Sequence, residues 1–98
     1  MRQEQILNAA VDLAKEGNYQ TVTRKALSDS IGCTEPLISY YFGSMDNLRS
    51  EILKYAVECE VYEIIVQGMI AKDPFLETVC NDILSAAWSK STYANHNT

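Results

Sequence analysis

Two short stretches of the chain concentrate side chains that can bind phosphate groups or touch base edges. Thr23, Arg24 and Lys25 place a hydroxyl, a guanidinium and an ammonium group in sequence. The second stretch, residues 34–42, holds two hydroxyl residues and two tyrosines, but no Arg, Lys, Asn or Gln. Cationic and hydroxyl groups hold phosphates, whereas apolar and aromatic groups touch base edges. The second stretch therefore favours recognition of bases through apolar contact.

Groups for catalysis or metal binding are scarce. His96 is the single histidine, and no nucleophile–base pair or glycine-rich phosphate loop is present. Cys33, Cys59 and Cys80 are odd in number and form no CxxC pair, which argues against a zinc site and a disulfide framework. We predict no enzyme activity, no metal and no cofactor, with the cysteines acting as small apolar residues.

The charge is distributed unevenly along the chain. The 98 residues carry a net charge of −5, yet residues 1–54 hold six basic against seven acidic residues, and residues 55–98 hold two against six. Phosphate neutralisation supplies much of the affinity of DNA-binding proteins, so an acidic chain is an unexpected candidate. The charge by itself does not indicate nucleic acid, but its excess lies in the second half.

Apolar spacing predicts an all-α chain. A first helix is expected from Arg2 to Glu16, with Gly17 as a left-handed C-cap. A seam from Leu48 to Met69 predicts one long fourth helix, in which Gly68 marks fraying or a bend near the end. Asp73 and Pro74 indicate the start of a fifth helix that runs to about Trp88.

Between these lie two short helices joined by a tight turn. The second helix is expected over residues 24–30 with Thr23 as its N-cap, and the third begins after Thr34, another N-cap. Gly32 suits the sharp turn between them. This arrangement is typical of a helix-turn-helix, whose second helix enters the major groove of DNA.

The residues of this region carry a more specific pattern. Thr23–Ser28 and Ile31–Leu48, preceded by Ile6–Ala10, Leu13 and Gly17, resemble the DNA-binding domain of the tetracycline-repressor (TetR) family. The resemblance covers roughly residues 3–52. It implies that the third helix reads the major groove, while the cap of helix 2 and the start of helix 4 hold phosphates.

Carried over by position, the resemblance implies that Thr23 binds a phosphate and that Arg24 reaches a base or a phosphate. We expect Leu37 and Tyr40 to touch thymine methyl groups. The predicted DNA-binding set is Thr23, Arg24, Lys25, Thr34, Glu35, Pro36, Leu37, Ser39, Tyr40 and Tyr41.

Plainer structural interpretations stay open for several of these residues. Tyr40 and Tyr41 could fill the core, and Leu37 could pack inward. Arg24 could be part of a solvated helix start, as could Lys25, and Glu35 could serve the helix dipole.

This sequence departs from the family pattern in two places and in length. Ser39 stands where the family usually has tyrosine, and Met45 where it usually has lysine; both usual residues contact phosphate. Only residues 53–98 follow the resemblance, whereas family members typically carry a long C-terminal domain that binds an inducer and dimerises. We therefore expect no small-molecule inducer within the chain, and regulation through protein concentration, a partner protein or degradation instead.

The predicted fourth and fifth helices carry more apolar surface than one chain can bury, which predicts a homodimer. A two-fold dimer implies a palindromic operator. We expect a DNA-binding region at 1–44, a two-helix dimerisation bundle at 45–89 and a flexible tail at 90–98. The predicted interface consists of Tyr55, Cys59, Tyr62, Val66, Val79, Ile83 and Trp88.

Together these patterns predict a dimeric repressor of transcription that binds double-stranded DNA. No signal peptide or membrane span is recognised, which favours the cytoplasm. The alternative is a protein-binding adaptor or antirepressor with the same fold, supported by the acidic charge, Ser39 and Met45. A steep salt dependence of duplex binding would distinguish the two, because counterion release accompanies DNA binding alone.

Overall fold

The computed structural model describes residues 3–90. The regular secondary structure of this range is helical. The all-α prediction is confirmed. The α-helices are α1 (Gln3–Glu16), α2 (Arg24–Ile31), α3 (Glu35–Phe42), α4 (Met45–Glu58), α5 (Tyr62–Ala71) and α6 (Asn81–Lys90), with short 3-10 helices at Tyr19–Thr21 and Pro74–Thr78.

The described residues form two compact units, 3–52 and 53–90. The predicted functional division at residue 45 coincides with the start of α4 and stays a prediction. The predicted tail lies outside the described residues, except for Lys90, which ends α6. Over the described range, no helix combines the length and apolarity that crossing a membrane requires.

The core of the first unit is built from one face of each helix. In α1, Ile6, Ala10 and Ala14 recur every four residues and are fully buried, as one face of a helix requires. The other helices contribute Leu27, Ile38, Phe42, Leu48 and Ile52.

The prediction that Gly17 is a left-handed C-cap is wrong, because the glycines with positive φ in residues 3–90 are Gly32 and Gly43. The Gly17 amide donates to the Leu13 carbonyl at 3.2 Å, which continues the helical pattern. Asn18 then caps the 3-10 helix by accepting from the amide of Gln20 at 2.9 Å.

The prediction of a single helix from Leu48 to Met69 is also wrong. Helix α4 ends at Glu58, Glu60 adopts a left-handed φ of 54°, and α5 begins at Tyr62. The Val61 amide returns to the Ala56 carbonyl at 2.8 Å, which closes the end of α4. Apolar spacing continues across this break, so periodicity did not reveal it.

The predicted fifth helix is likewise interrupted. The Asp73 carboxylate accepts from the Phe75 amide at 3.0 Å, so the predicted start is correct. The segment that follows is a 3-10 helix, and the backbone becomes extended at Val79 before α6 begins.

Gly68 lies in the interior of α5, where the sequence predicted fraying or a bend. It is buried, and a Cβ there would lie 3.0 Å from Leu53 Cδ1 and 3.1 Å from Leu76 Cδ1. Gly68 thus allows α4, α5 and the second 3-10 helix to approach closely.

Candidate nucleic-acid interface

Helix α2 is fixed at both ends by local hydrogen bonds. The Thr23 hydroxyl accepts from the Ala26 amide at 3.1 Å, as an N-cap does. At the other end, Gly32 is left-handed (φ 70°), and its amide and that of Cys33 both donate to the Ser28 carbonyl, at 2.9 and 3.1 Å. The chain therefore turns sharply into α3, as the sequence predicted.

Helix α3 turns one face into the core and leaves its first turn exposed. Thr34 caps it by accepting from the Leu37 amide at 3.4 Å. Ile38 and Phe42 are buried, so the residues between them point elsewhere. Glu35, Pro36 and Tyr40 are exposed, whereas Leu37, Ser39 and Tyr41 are half-buried.

The two tyrosines of α3 form an aromatic pair on the surface. Their ring centroids lie 5.3 Å apart with an interplanar angle of 76°, an edge-to-face arrangement. Tyr40 is 81% exposed, so the alternative in which it fills the core is wrong. A broad aromatic face is therefore available for contact with a partner.

The junction between α3 and α4 holds a group that sequence reasoning missed. Gly43 has φ 74° and ψ −113°, and its amide donates to the Ser39 carbonyl at 2.7 Å. The Ser44 hydroxyl accepts from the Asn47 amide at 3.1 Å, and Asn47 Nδ2 donates to the Phe42 carbonyl at 2.6 Å. The signal that could have indicated this contact is an Asn three residues after a capping Ser.

Arg24 makes a contact that the sequence did not predict. Its Nη2 donates to the Gly43 carbonyl at 3.2 Å, and its Nε is buried without a hydrogen-bond partner in the described residues. Arg49, also missed, donates from Nη2 to the Val22 carbonyl at 3.3 Å and lies 3.7 Å from Asp46. Both half-buried arginines tie helices to loop carbonyls.

The electrostatics of this surface are uneven. The exposed positive charge lies at the start of α2, where Lys25 is exposed beside the Thr23 cap. The exposed side of α3 carries Glu35 and no basic residue. The N-termini of α2 and α4 add partial positive charge. This arrangement can hold phosphates beside α2 and α4 while α3 makes apolar contacts.

The predicted dimer residues are distributed over the second unit. Val66 is 2% exposed, so its burial needs no partner. Tyr55, Tyr62, Val79 and Ile83 are half-buried, while Cys59 and Trp88 are exposed. The Lys90 ammonium lies 5.3 Å from the centre of the Tyr62 ring.

The sequence missed one exposed apolar residue of this unit. Ile70 is 51% exposed and, with Met69 and Trp88, lines a shallow groove. Ile70 lies off the apolar seam used for prediction, so spacing did not reveal it. The groove continues along α6 at Leu84.

Residues 3–90 contain neither a cluster of metal ligands nor a disulfide. No three side chains of His, Cys, Asp or Glu lie close enough there to hold a metal ion. Cys33, Cys59 and Cys80 are free thiols.

The fold and the exposed first turn of α3 define a helix-turn-helix of the DNA-binding class. Residues 6–52 match the family described as "Bacterial regulatory proteins, tetR family". This part of the chain is a TetR-family DNA-binding domain, and the resemblance predicted from the sequence is confirmed. The chain is accordingly a DNA-binding regulator of transcription. Searches of curated proteins and of solved structures found no match.

Proposed function

We propose that this protein is a repressor that binds a palindromic operator as a homodimer, with α3 in the major groove. The observation that supports this most directly is the exposure of Tyr40 and of the first turn of α3, on the side away from Ile38 and Phe42. A helix that buries one face and exposes its N-terminal residues is the element that such proteins insert into the groove.

The reading surface works through apolar contact. Leu37 and Tyr40 lie on α3, which has no side chain suited to bidentate bonds with guanine or adenine. Thymine methyl groups are their natural targets, so A·T pairs dominate the operator. Thr34, Glu35 and Pro36 line the edge of this surface.

Phosphate contacts flank the reading surface. Thr23 and Lys25 are exposed at the start of α2, and Tyr41 and Ser39 are half-buried on α3. Duplex affinity should still fall clearly with salt, but because few of these side chains are cationic, the slope should be smaller than in strongly basic DNA-binding proteins.

Dimerisation is proposed for the second unit. Trp88 is 40% exposed and Ile70 51%, and Met69 and Leu84 continue the same apolar surface. Burying such a surface against a second copy generates the two-fold symmetry that a palindromic operator requires.

The test selects bound sequences from a random duplex library and measures the mass of the free protein in the same buffer. We expect an inverted repeat rich in A·T pairs and a dimeric mass at micromolar concentration. Lys25→Ala should flatten the slope of log affinity against log salt by about one for each phosphate that Lys25 neutralises. Lys15→Ala is the matched control, since Lys15 is also exposed but belongs to the last turn of α1 and to none of the helices proposed to contact DNA. A monomeric mass, or recovery of random sequences, would contradict the proposal.

A second candidate, a protein-binding adaptor or antirepressor, is favoured by one observation. The exposed side of α3 combines Glu35 with an aromatic pair and has no basic residue, which suits a protein surface as well as DNA. This candidate predicts no salt-dependent duplex binding, and a Tyr40→Ala change would then abolish capture of a protein partner.

A further inference from the structure

We propose that Arg24 is a positioning residue of the DNA-binding surface. It holds the C-terminal end of α3 and does not read a base. The proposal rests on the DNA-binding function proposed above. It deepens that function by naming the groups that set the orientation of the reading helix.

Two side chains from the helices on either side of α3 converge on its last carbonyls. Arg24, on α2, donates from Nη2 to the Gly43 carbonyl at 3.2 Å. Asn47, on α4, donates from Nδ2 to the Phe42 carbonyl at 2.6 Å. The last carbonyls of a helix lack partners within the helix, so side chains that satisfy them fix where that helix ends.

The placement of the guanidinium opposes direct reading of a base. A side-on bidentate contact uses Nε together with one Nη, and the Nε of Arg24 is buried. An end-on contact uses Nη1 and Nη2 together, but Nη2 already donates to the Gly43 carbonyl, and the side chain as a whole is half-buried. Lys25, its neighbour, is exposed and better placed for a phosphate.

Helix α3 has reason to need such support. It spans eight residues, and isolated helices shorter than about 12 residues are marginal in water. Base contacts by Leu37 and Tyr40 require the helix to hold its position within about 0.5 Å. Contacts to phosphates contribute to the binding of every duplex alike, since they carry no sequence information. Loosening the end of α3 should therefore harm specific binding more than non-specific binding.

The experiment uses the full chain with the duplex selected above and a scrambled duplex of the same composition. Dissociation constants for both are measured by fluorescence anisotropy at several salt concentrations, for the unmodified protein and for Arg24→Ala, Asn47→Ala, Arg24→Lys and Lys25→Ala. Circular dichroism gives the folded fraction of each variant.

We expect Arg24→Ala and Asn47→Ala each to lower the ratio of specific to non-specific affinity by roughly three- to tenfold, the worth of one hydrogen bond. The salt slope should stay unchanged in both, although only one variant loses a charge. Arg24→Lys retains a donor and should recover part of the ratio. Lys25→Ala should do the opposite, with a flatter slope and an unchanged ratio.

Three results would overturn the proposal. Loss of preference confined to one G·C pair in Arg24→Ala would identify a base reader. A slope that falls as in Lys25→Ala would identify a phosphate contact. An unchanged ratio in a folded Asn47→Ala protein would show that the end of α3 needs no support, and this variant decides the matter if Arg24→Ala does not fold. Failure of the unmodified protein to bind any duplex would refute the proposed function itself, and the positioning role with it.

Discussion

The two units end their helices by different means. In residues 3–52, hydroxyl and amide side chains cap the helix starts, and glycines occupy the left-handed positions that follow α2 and α3. In residues 53–90, the N-cap residue of α5 is Val61, which offers no side-chain acceptor, and the left-handed positions are held by Glu60 and Lys72. The turns of the first unit are therefore specified by residue types. In the second unit, Asp73 caps the 3-10 helix in the same way, but the turns that follow α4 and α5 depend on backbone bonds and packing.

Among the variants proposed below, Gly43→Ala should lower the stability of the protein most. A Cβ at Gly43 meets no atom within 4 Å, so the penalty of Gly43→Ala comes from its φ of 74° and ψ of −113° alone. We expect stability to fall by about 1–3 kcal/mol, measured by urea unfolding. Gly17→Ala is the control: its Cβ would meet only the Leu13 carbonyl oxygen, at 3.9 Å, and its φ is ordinary. Equal losses in both variants would contradict the backbone argument.

A smaller effect is expected at the cap of α2. Thr23→Ala removes the acceptor for the Ala26 amide and should lower the free energy of unfolding by about 1 kcal/mol. Thr23→Ser keeps the hydroxyl and should lose little. The measurement is the urea concentration at the midpoint of unfolding, compared at an unchanged dependence of the free energy on urea. A Ser variant as destabilised as the Ala variant would show that the loss does not come from the hydroxyl cap.

The same difference explains which parts of the structure the sequence predicts. The starts of α2 and α3 follow from Thr23 and Thr34 because capping is a local property of residue types. The turn at Gly32 follows from glycine's freedom at positive φ. Gly17 shows the limit of the same rule, since a glycine permits a left-handed turn without requiring one.

In the second unit, the breaks escape prediction for a physical reason. Glu60 is a residue type that rarely adopts positive φ, so nothing local indicates the end of α4. Apolar spacing indicates which side of a helix faces the core. The same spacing can continue across a break between two helices, so it does not reveal the break. The orientation of Arg24 escapes for a different reason: its partner, Gly43, lies nineteen residues away, and a sequence pattern names a residue but not the direction of its side chain.

Replacing the strained residues of the second unit should stabilise it. A left-handed conformation costs about 1–2 kcal/mol for residues other than glycine, partly offset by the flexibility that glycine adds to the unfolded chain. Glu60→Gly and Lys72→Gly should therefore each raise stability by about 0.5–1 kcal/mol. Glu58→Gly is the control, because Glu58 is the last residue of α4 and glycine there should destabilise. Thermal unfolding followed by circular dichroism gives the sign of each change.

The smallest effect tests the missing cap of α5. Val61 precedes the helix with a non-helical backbone (φ −81°, ψ 87°) and is half-buried, so Val61→Thr keeps the shape of the side chain while adding a hydroxyl acceptor. We expect a gain of up to about 0.5 kcal/mol, less than a full cap because the ψ value differs from that of Thr23 and Thr34.

The control for this change is Val57→Thr, which makes the same chemical substitution inside α4, where Val57 is also half-buried. A hydroxyl there finds no free helix amide to cap, so this variant should lose stability. Hydrogen exchange of the first amides of α5 provides the direct readout, because a cap slows exchange at the helix start. If both threonine variants shift stability in the same direction, adding a cap at the start of α5 has no stabilising effect of its own. The difference between the two units then lies in their left-handed residues alone.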